Sequence, residues 1–251
     1  MLNAPDLPLD PVHLTRYLDR IRGLHDSAAY STTELLRDDF LLASEGDLSI
    51  YFAPFDWVNS EASVSLVGIT PGWTQMEKSF QVFKGAVTAG LTSDEALAVV
   101  KKEAAFAGSM RSNLLSMLDE IGLPAMLGIE RASALFIGST ELVHSTSAIR
   151  YPAFVNGSNY SGHRPTIEKS PLLKRFVREV LSEELNLAAS ALVVPLGGAV
   201  EGALRVLVER NSLDERRVLF GFPHPSGGNG HRQRQFAERR SSLRRKAALW
   251  L

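Results

Sequence analysis

The sequence predicts an α/β protein in which a central parallel sheet is covered by helices on both faces, a three-layer α/β/α arrangement. Three observations carry this expectation. Short apolar runs rich in β-branched residues stand at 64–67, 191–196 and 218–222, as strands buried on both faces require. Amphipathic helical stretches separate them, the alternation that builds a parallel sheet. Each run also ends in a Gly- or Pro-bearing turn: Gly68-Ile69-Thr70-Pro71-Gly72, Gly197-Gly198, and Pro223-His224-Pro225-Ser226-Gly227-Gly228-Asn229. Open α/β sheets place their ligands just past the carboxyl ends of the strands, so these turns are where a site is expected.

At 251 residues, 45% hydrophobic and 22% charged, the chain is expected to form one domain over 1–251, with a helical extension at about 1–46. No apolar run is long enough to span a bilayer and no basic-then-apolar leader opens the chain, so no membrane partner and a cytoplasmic location are expected. Zero cysteines excludes disulfides, thiol catalysis and cysteine-held metal or iron–sulfur centres. From His231 onward seven basic residues face one acid, Glu238. The net charge of −1 therefore divides into +6 there and −7 elsewhere. Such a segment either meets phosphates or forms a solvated helix face.

In chain order, Asp10-Pro11 reads as a helix start, followed by Leu14, Tyr17, Leu18, Ile21 and Leu24 at three- and four-residue steps. Ser31-Thr32-Thr33-Glu34 reads as a capping box opening a second helix to about residue 43. Residues 48–55 read as a strand, and 75–90 as irregular and partly helical. Thr92-Ser93-Asp94-Glu95 is a second capping box, for a helix to about 107. The pattern resumes after Gly108 and stops at Gly122. Residues 142–146 read as a strand and 151–165 as a loop. Helices are expected at 171–185, 199–209 and 232–251, and strands at 191–196 and 218–222. The Gly197-Gly198 step fits neither dinucleotide nor P-loop spacing, so close packing is the favoured reading there.

Two of these loops resemble a known family. Gly68-Ile69-Thr70-Pro71-Gly72 is similar to the first signature loop of the uracil-DNA glycosylase superfamily. His224-Pro225-Ser226 is similar to the second. The resemblance runs from about Asp47 to the end and implies a uracil-DNA glycosylase-like fold. It implies hydrolysis of the N-glycosidic bond of a damaged or deaminated base that is flipped into a pocket. It further implies a base-binding set of Gly68, Ile69, Pro71, Gly72, Trp73, Phe83 and Ser147. Phe83 is placed as the stacking aromatic, and Ser147 stands where the family has a base-pairing asparagine. The nearby loop offers Asn156, Asn159 or His163 in its stead.

The expected catalytic pair is His224, aimed at a carbonyl of the departing base, and Thr70, standing where relatives carry Asp, Asn, Glu or Ala. Threonine orients a water but takes no proton at neutral pH, so Glu77 is named as a nearby acid. Ser226, Gly227, Asn229, Arg232 and Arg234 are expected along the nucleic-acid backbone. Gly228 replaces the leucine that some relatives wedge into the duplex, which points to single-stranded or poorly stacked DNA. No cofactor, no metal and a monomer are expected. Two alternatives stay open: a binding module of the same fold that has lost turnover, and a hydrolase of small nucleoside-like ligands.

Overall fold

The computed structural model describes residues 12–25, 29–106 and 109–251. Helix α1 (Val12–Arg22) leads to a one-turn helix α2 (Thr32–Leu35), then a hairpin of β1 (Leu41–Glu45) and β2 (Leu48–Tyr51). Strand β3 (Val64–Gly68) is followed by the helices α3 (Trp73–Thr88), α4 (Ser93–Ala104), α5 (Ser109–Glu120) and α6 (Leu123–Met126). Then come β4 (Val143–Ser147), β5 (Ala153–Val155) and β6 (Ser158–Asn159). Helix α7 (Pro171–Phe176) passes through a π-turn into α8 (Ser182–Leu187), and β7 (Leu192–Pro195), α9 (Gly198–Glu209) and α10 (Arg232–Trp250) complete the chain.

The parallel sheet has the order β4-β3-β7, with Val64 opposite both Val143 and Leu192, and Gly68 opposite Ser147. Its middle strand is buried at all five positions, as the apolar run requires. Val67 and Val193 join one hydrophobic cluster with α3, α4, α7 and α9. Val64, Leu66, Leu192 and Val194 join another with α5, α6 and α10. Helices therefore cover both faces, and side-chain alternation along β3 and β7 serves each in turn.

Four expectations are corrected here. The segment 218–222 joins the sheet by one parallel bridge only, Val218 to Val193. Beyond it Gly221 gives its N–H to Glu201 and its carbonyl to Arg239, so its backbone groups are unavailable to a ladder. The helical extension over 1–46 is interrupted. The Ser31 capping box forms, but α2 ends at Leu35, and residues 41–45 are strand β1. Burial of Phe40 and Leu42 in the core overrides the local helical signal. Residues 151–165 are not all loop, because β5 and β6 add to β2 and β1 in a second, antiparallel sheet. Residues 75–90 lie almost wholly in the continuous helix α3. The Asp10-Pro11 start and Gly108 lie outside the described residues.

Behind β4 sits a cluster of buried charges. Glu184, on α8 and fully buried, accepts from His144 Nε2 at 2.8 Å and from Arg150 Nε at 3.0 Å, with Lys101 Nζ at 3.4 Å. Asn59 N–H reaches His144 Nδ1 at 3.4 Å, so the ring is neutral, with its proton on Nε2. Burial alone raises the Glu184 carboxyl, but Arg150, Lys101 and His144 outweigh it and hold it well below the ordinary range. Burial likewise lowers His144 against the pull of Glu184.

Replacing Glu184 by Gln leaves Arg150 and Lys101 buried without their counter-charge and is expected to destabilise the fold by about 3–5 kcal/mol. Because folding depresses both pKa values, stability is expected to fall as pH drops below about 6.5, where unfolded His144 gains a proton that the folded ring refuses. It should fall again below about 4.5, where unfolded Glu184 does the same. Urea denaturation from pH 8 to pH 3 checks both steps. The Gln variant should lose the lower one.

Candidate functional site

The aligned registers bring the carboxyl ends of β3, β4 and β7 to one edge, and the loops that leave them enclose a cavity of about 1090 Å³. Gly68, Ile69, Thr70, Gly72, Trp73, Ser147, His224, Ser226 and Asn229 line it, so the two signature loops do meet. Gly68 is there for close approach: a Cβ would stand 3.2 Å from the Phe106 ring and 3.4 Å from Ser147 Oγ.

His224 is the best-placed group for chemistry. The Ser226 N–H donates to its Nδ1 at 3.2 Å, so the neutral ring carries its proton on Nε2, an atom with no protein partner among the described residues. Burial, with His163 nearby, holds the imidazole below its ordinary range. The loop around it is braced by Asn113 Nδ2 to Pro225 O at 2.9 Å and by Asn229 Nδ2 to His224 O at 3.2 Å. Gly197, at φ +98°, lies under the ring, where a Cβ would come 2.8 Å from that of His224.

Thr70 lines the cavity in a different capacity from the one expected. Its hydroxyl donates to Tyr151 O at 2.9 Å and accepts from Ala153 N–H at 3.0 Å, which fastens the first loop to β5. Its one proton is spent on the backbone, so it has none to give a ligand.

Other expected site residues lie elsewhere. Phe83 is 1% exposed and packs in the core, because continuous α3 sets Met76, Phe80 and Phe83 on one inward face. Pro71 is buried beside Lys101 and Arg150, behind the cavity wall. Glu77 caps the Tyr30 N–H at 2.9 Å, and Asn156 Nδ2 reaches Asp47 at 3.3 Å, so neither lines the cavity. Arg232 donates to the carbonyl of Ser226 at 2.7 Å and is a brace of the loop. Arg234 is exposed, 4.0 Å from Glu238, and Gly227 is exposed outside the lining.

Asn159 and His163, the alternatives from the following loop, do line the cavity. Sequence reasoning missed Phe106, Tyr160, Glu201, Gln235 and Arg239. Of these only Phe106, next to Ala107-Gly108 between two helical patterns, left a local trace, the break in periodicity; its φ of +43° marks a tight turn. Among the described residues no three or more His, Asp or Glu side chains gather as a metal site, and no helix is long and apolar enough to cross a membrane.

Over 234 residues the chain is 38% identical to the uncharacterized protein YoxB of Bacillus subtilis (strain 168), which covers 92% of this chain and 91% of that protein. The chain belongs to the YoxB family. No family model and no solved structure matches it.

Two substitutions test this anatomy. Thr70→Val should destabilise by about 1–3 kcal/mol, because it strands the buried Tyr151 carbonyl and Ala153 N–H, whereas Thr70→Ser should stay near wild type. Gly197→Ala should displace His224 as well as strain the backbone, visible as a shifted imidazole resonance in addition to a lowered melting temperature.

Proposed function

We propose that the protein is a DNA glycosylase-like enzyme that hydrolyses the N-glycosidic bond of a damaged or deaminated base, uracil-type, in single-stranded or poorly stacked DNA. The observation that carries this reading is the meeting of the Gly68–Trp73 and His224–Asn229 loops in one cavity, with a neutral His224 offering Nε2–H to it. When the sugar–base bond breaks, the electron pair leaves with the base and cationic character stays on the sugar. A fixed donor at a ring carbonyl of the leaving base stabilises the developing anion, a contribution of about 2.7–4 kcal/mol for one well-placed group. Water then adds to the sugar carbon and releases its proton to the departing base or to solvent. Trp73, Phe106 and Tyr160 give the cavity the aromatic surface that a flipped base stacks on. The chain acts as a monomer in this reading, without a cofactor, and in the cytoplasm.

One observation favours a second reading, a binding module of the same fold without turnover. Thr70 is tied to the backbone, and the carboxylate in the cavity lining, Glu201, has Oε1 engaged by the Gly221 N–H. Thr70 supplies no base for the water, and Glu201 has only Oε2 left to offer.

Single-turnover base release across a panel of damaged and deaminated bases, in single- and double-stranded oligonucleotides, separates the two. His224→Ala should slow release by about 10²–10³-fold. Because protonation of His224 is pushed below its ordinary range, the wild-type rate should stay level from pH 8 down to about 6.5. Tight binding with no release from any substrate establishes the module instead. Arg234→Ala should flatten the salt dependence of binding by about 0.7 in log–log slope for single strands, whereas Arg232→Ala should also loosen the His224 loop.

A further inference from the structure

Behind the wall of the large cavity lies a small chamber of about 30 Å³, room for one or two water-sized occupants, since about 10–15 Å³ holds a water. Ser147, Gln75 and Phe106 line both spaces, whereas Lys101, Arg150 and Thr146 line the chamber alone. Thr146 is 6% exposed, and its Oγ1 has no hydrogen-bond partner among the described residues. A buried hydroxyl left unmet is costly, so its place in the chamber wall calls for an occupant. Strand alternation sets Thr146 on the same face of β4 as His144, the face that meets Glu184.

The chamber is furnished with donors. An ammonium has three hydrogens, and Lys101 spends two, on Ser145 O at 3.1 Å and on Glu184 Oε1 at 3.4 Å. Arg150 gives Nε to Glu184 and stands 3.9 Å from Asp56, too far for a hydrogen bond. Thr146 and Ser147 add two hydroxyls. Acceptors are scarce by comparison. Lys101 takes the Ser145 carbonyl, and Arg111 takes those of Ala105 and Phe106. Gln75 has Oε1 on the Gly72 N–H at 3.1 Å and Nε2 on Ala104 O at 3.1 Å. Among the described residues no carboxylate lines the chamber. A water there would bring two hydrogens to groups that are themselves in search of acceptors. An anion brings none. Burial lowers Lys101 despite the pull of Glu184, as expected of a cation short of counter-charge.

We propose that the chamber is a binding site for one monatomic anion of chloride size, held by the Lys101 ammonium and the Thr146 and Ser147 hydroxyls, with the Arg150 guanidinium alongside. Lys101 comes from α4, the two hydroxyls from the end of β4 and Arg150 from the turn beyond it, so the anion ties α4 to the strand that ends at the large cavity. Phosphate, sulfate and carboxylates are too large for the space. The site is separate from the proposed base-binding function of the large cavity and needs no nucleic acid.

The test compares thermal unfolding in sodium chloride, bromide and gluconate at equal ionic strength, for wild type and Thr146→Val. Anomalous scattering from crystals of both grown in bromide locates the ion. Gluconate is the anion that the chamber does not admit. A ligand that binds only the folded state raises stability by mass action, so the wild-type melting temperature should climb with chloride or bromide and then level off. Salts excluded from the protein surface stabilise without such a plateau, which separates that effect from a site. Thr146→Val keeps the shape and removes the hydroxyl. It should lose most of the halide response while matching or exceeding wild type in gluconate, where the hydroxyl has no partner. The wild-type map should show one bromide between Lys101 and Thr146. Coincident wild-type curves in bromide and gluconate, or a map without bromide in the chamber, overturn the proposal and give the chamber to water. A halide response or a bromide peak undiminished in Thr146→Val overturns the assigned ligands. Should the variant fail to fold, the wild-type curves and map decide alone.

Discussion

A carboxylate taken wholly out of water is costly unless cations and donors replace its hydration shell, and Glu184 meets that condition with partners from three other parts of the chain. His144 comes from β4, Arg150 from the turn that follows it, and Lys101 from α4. Lys101 also reaches the Ser145 carbonyl at 3.1 Å, so the cluster grips the backbone of β4 itself. The residue after Arg150 is Tyr151, whose hydroxyl donates to Asp56 and whose carbonyl receives the Thr70 hydroxyl. A chain of polar contacts thus runs from the buried carboxylate to the loop that forms one side of the cavity. The cluster holds the end of β4, and the Thr70 staple then sets the first loop against it.

The cavity lining follows the same logic on a smaller scale. Backbone N–H groups there act as orienting devices. Ser226 sets the tautomer of His224, Trp73 sets the amide of Asn159, and Gly72 sets that of Gln75. Each bond satisfies an N–H that a turn or a helix start would otherwise leave open, and each fixes a side chain as a by-product. The cavity is preorganised through its backbone, a cheaper device than holding long side chains by packing.

Several parts of this arrangement were legible in the residues. The buried strand β3, the glycine-rich turns and the Thr92-Glu95 capping box depend on local steric and hydrogen-bonding rules, and they appear where those rules put them. The convergence of the two loops could be anticipated because parallel segments carry their following loops to one edge, and Val218 bridges Val193 in parallel although 218–222 forms no strand. Phe83 went astray because spacing from a motif assumes a loop where α3 is a continuous helix, and one residue of helix turns a side chain by about 100°. Arg232 and Thr70 went astray for a different reason. A charge or a hydroxyl in a sequence carries no sign of whether a carbonyl will be waiting for it, and here carbonyls were.

By itself, then, the sequence determined the layered α/β character, the strands β3, β4 and β7 and the turns that follow β3 and β7, because hydrophobic periodicity and turn chemistry are local. Only the tertiary structure decided which polar groups remain open to a ligand. Asn159 on β6, Phe106 between α4 and α5, and Gln235 and Arg239 on α10 enter the cavity from three parts of the chain whose mutual placement depends on the packing of two cores, and the partners of Glu184 lie 34 to 83 positions from it. Whether a donor or an acceptor is free is a question of what else lies within 3 Å, and that is settled by long-range burial rather than by neighbours in the chain.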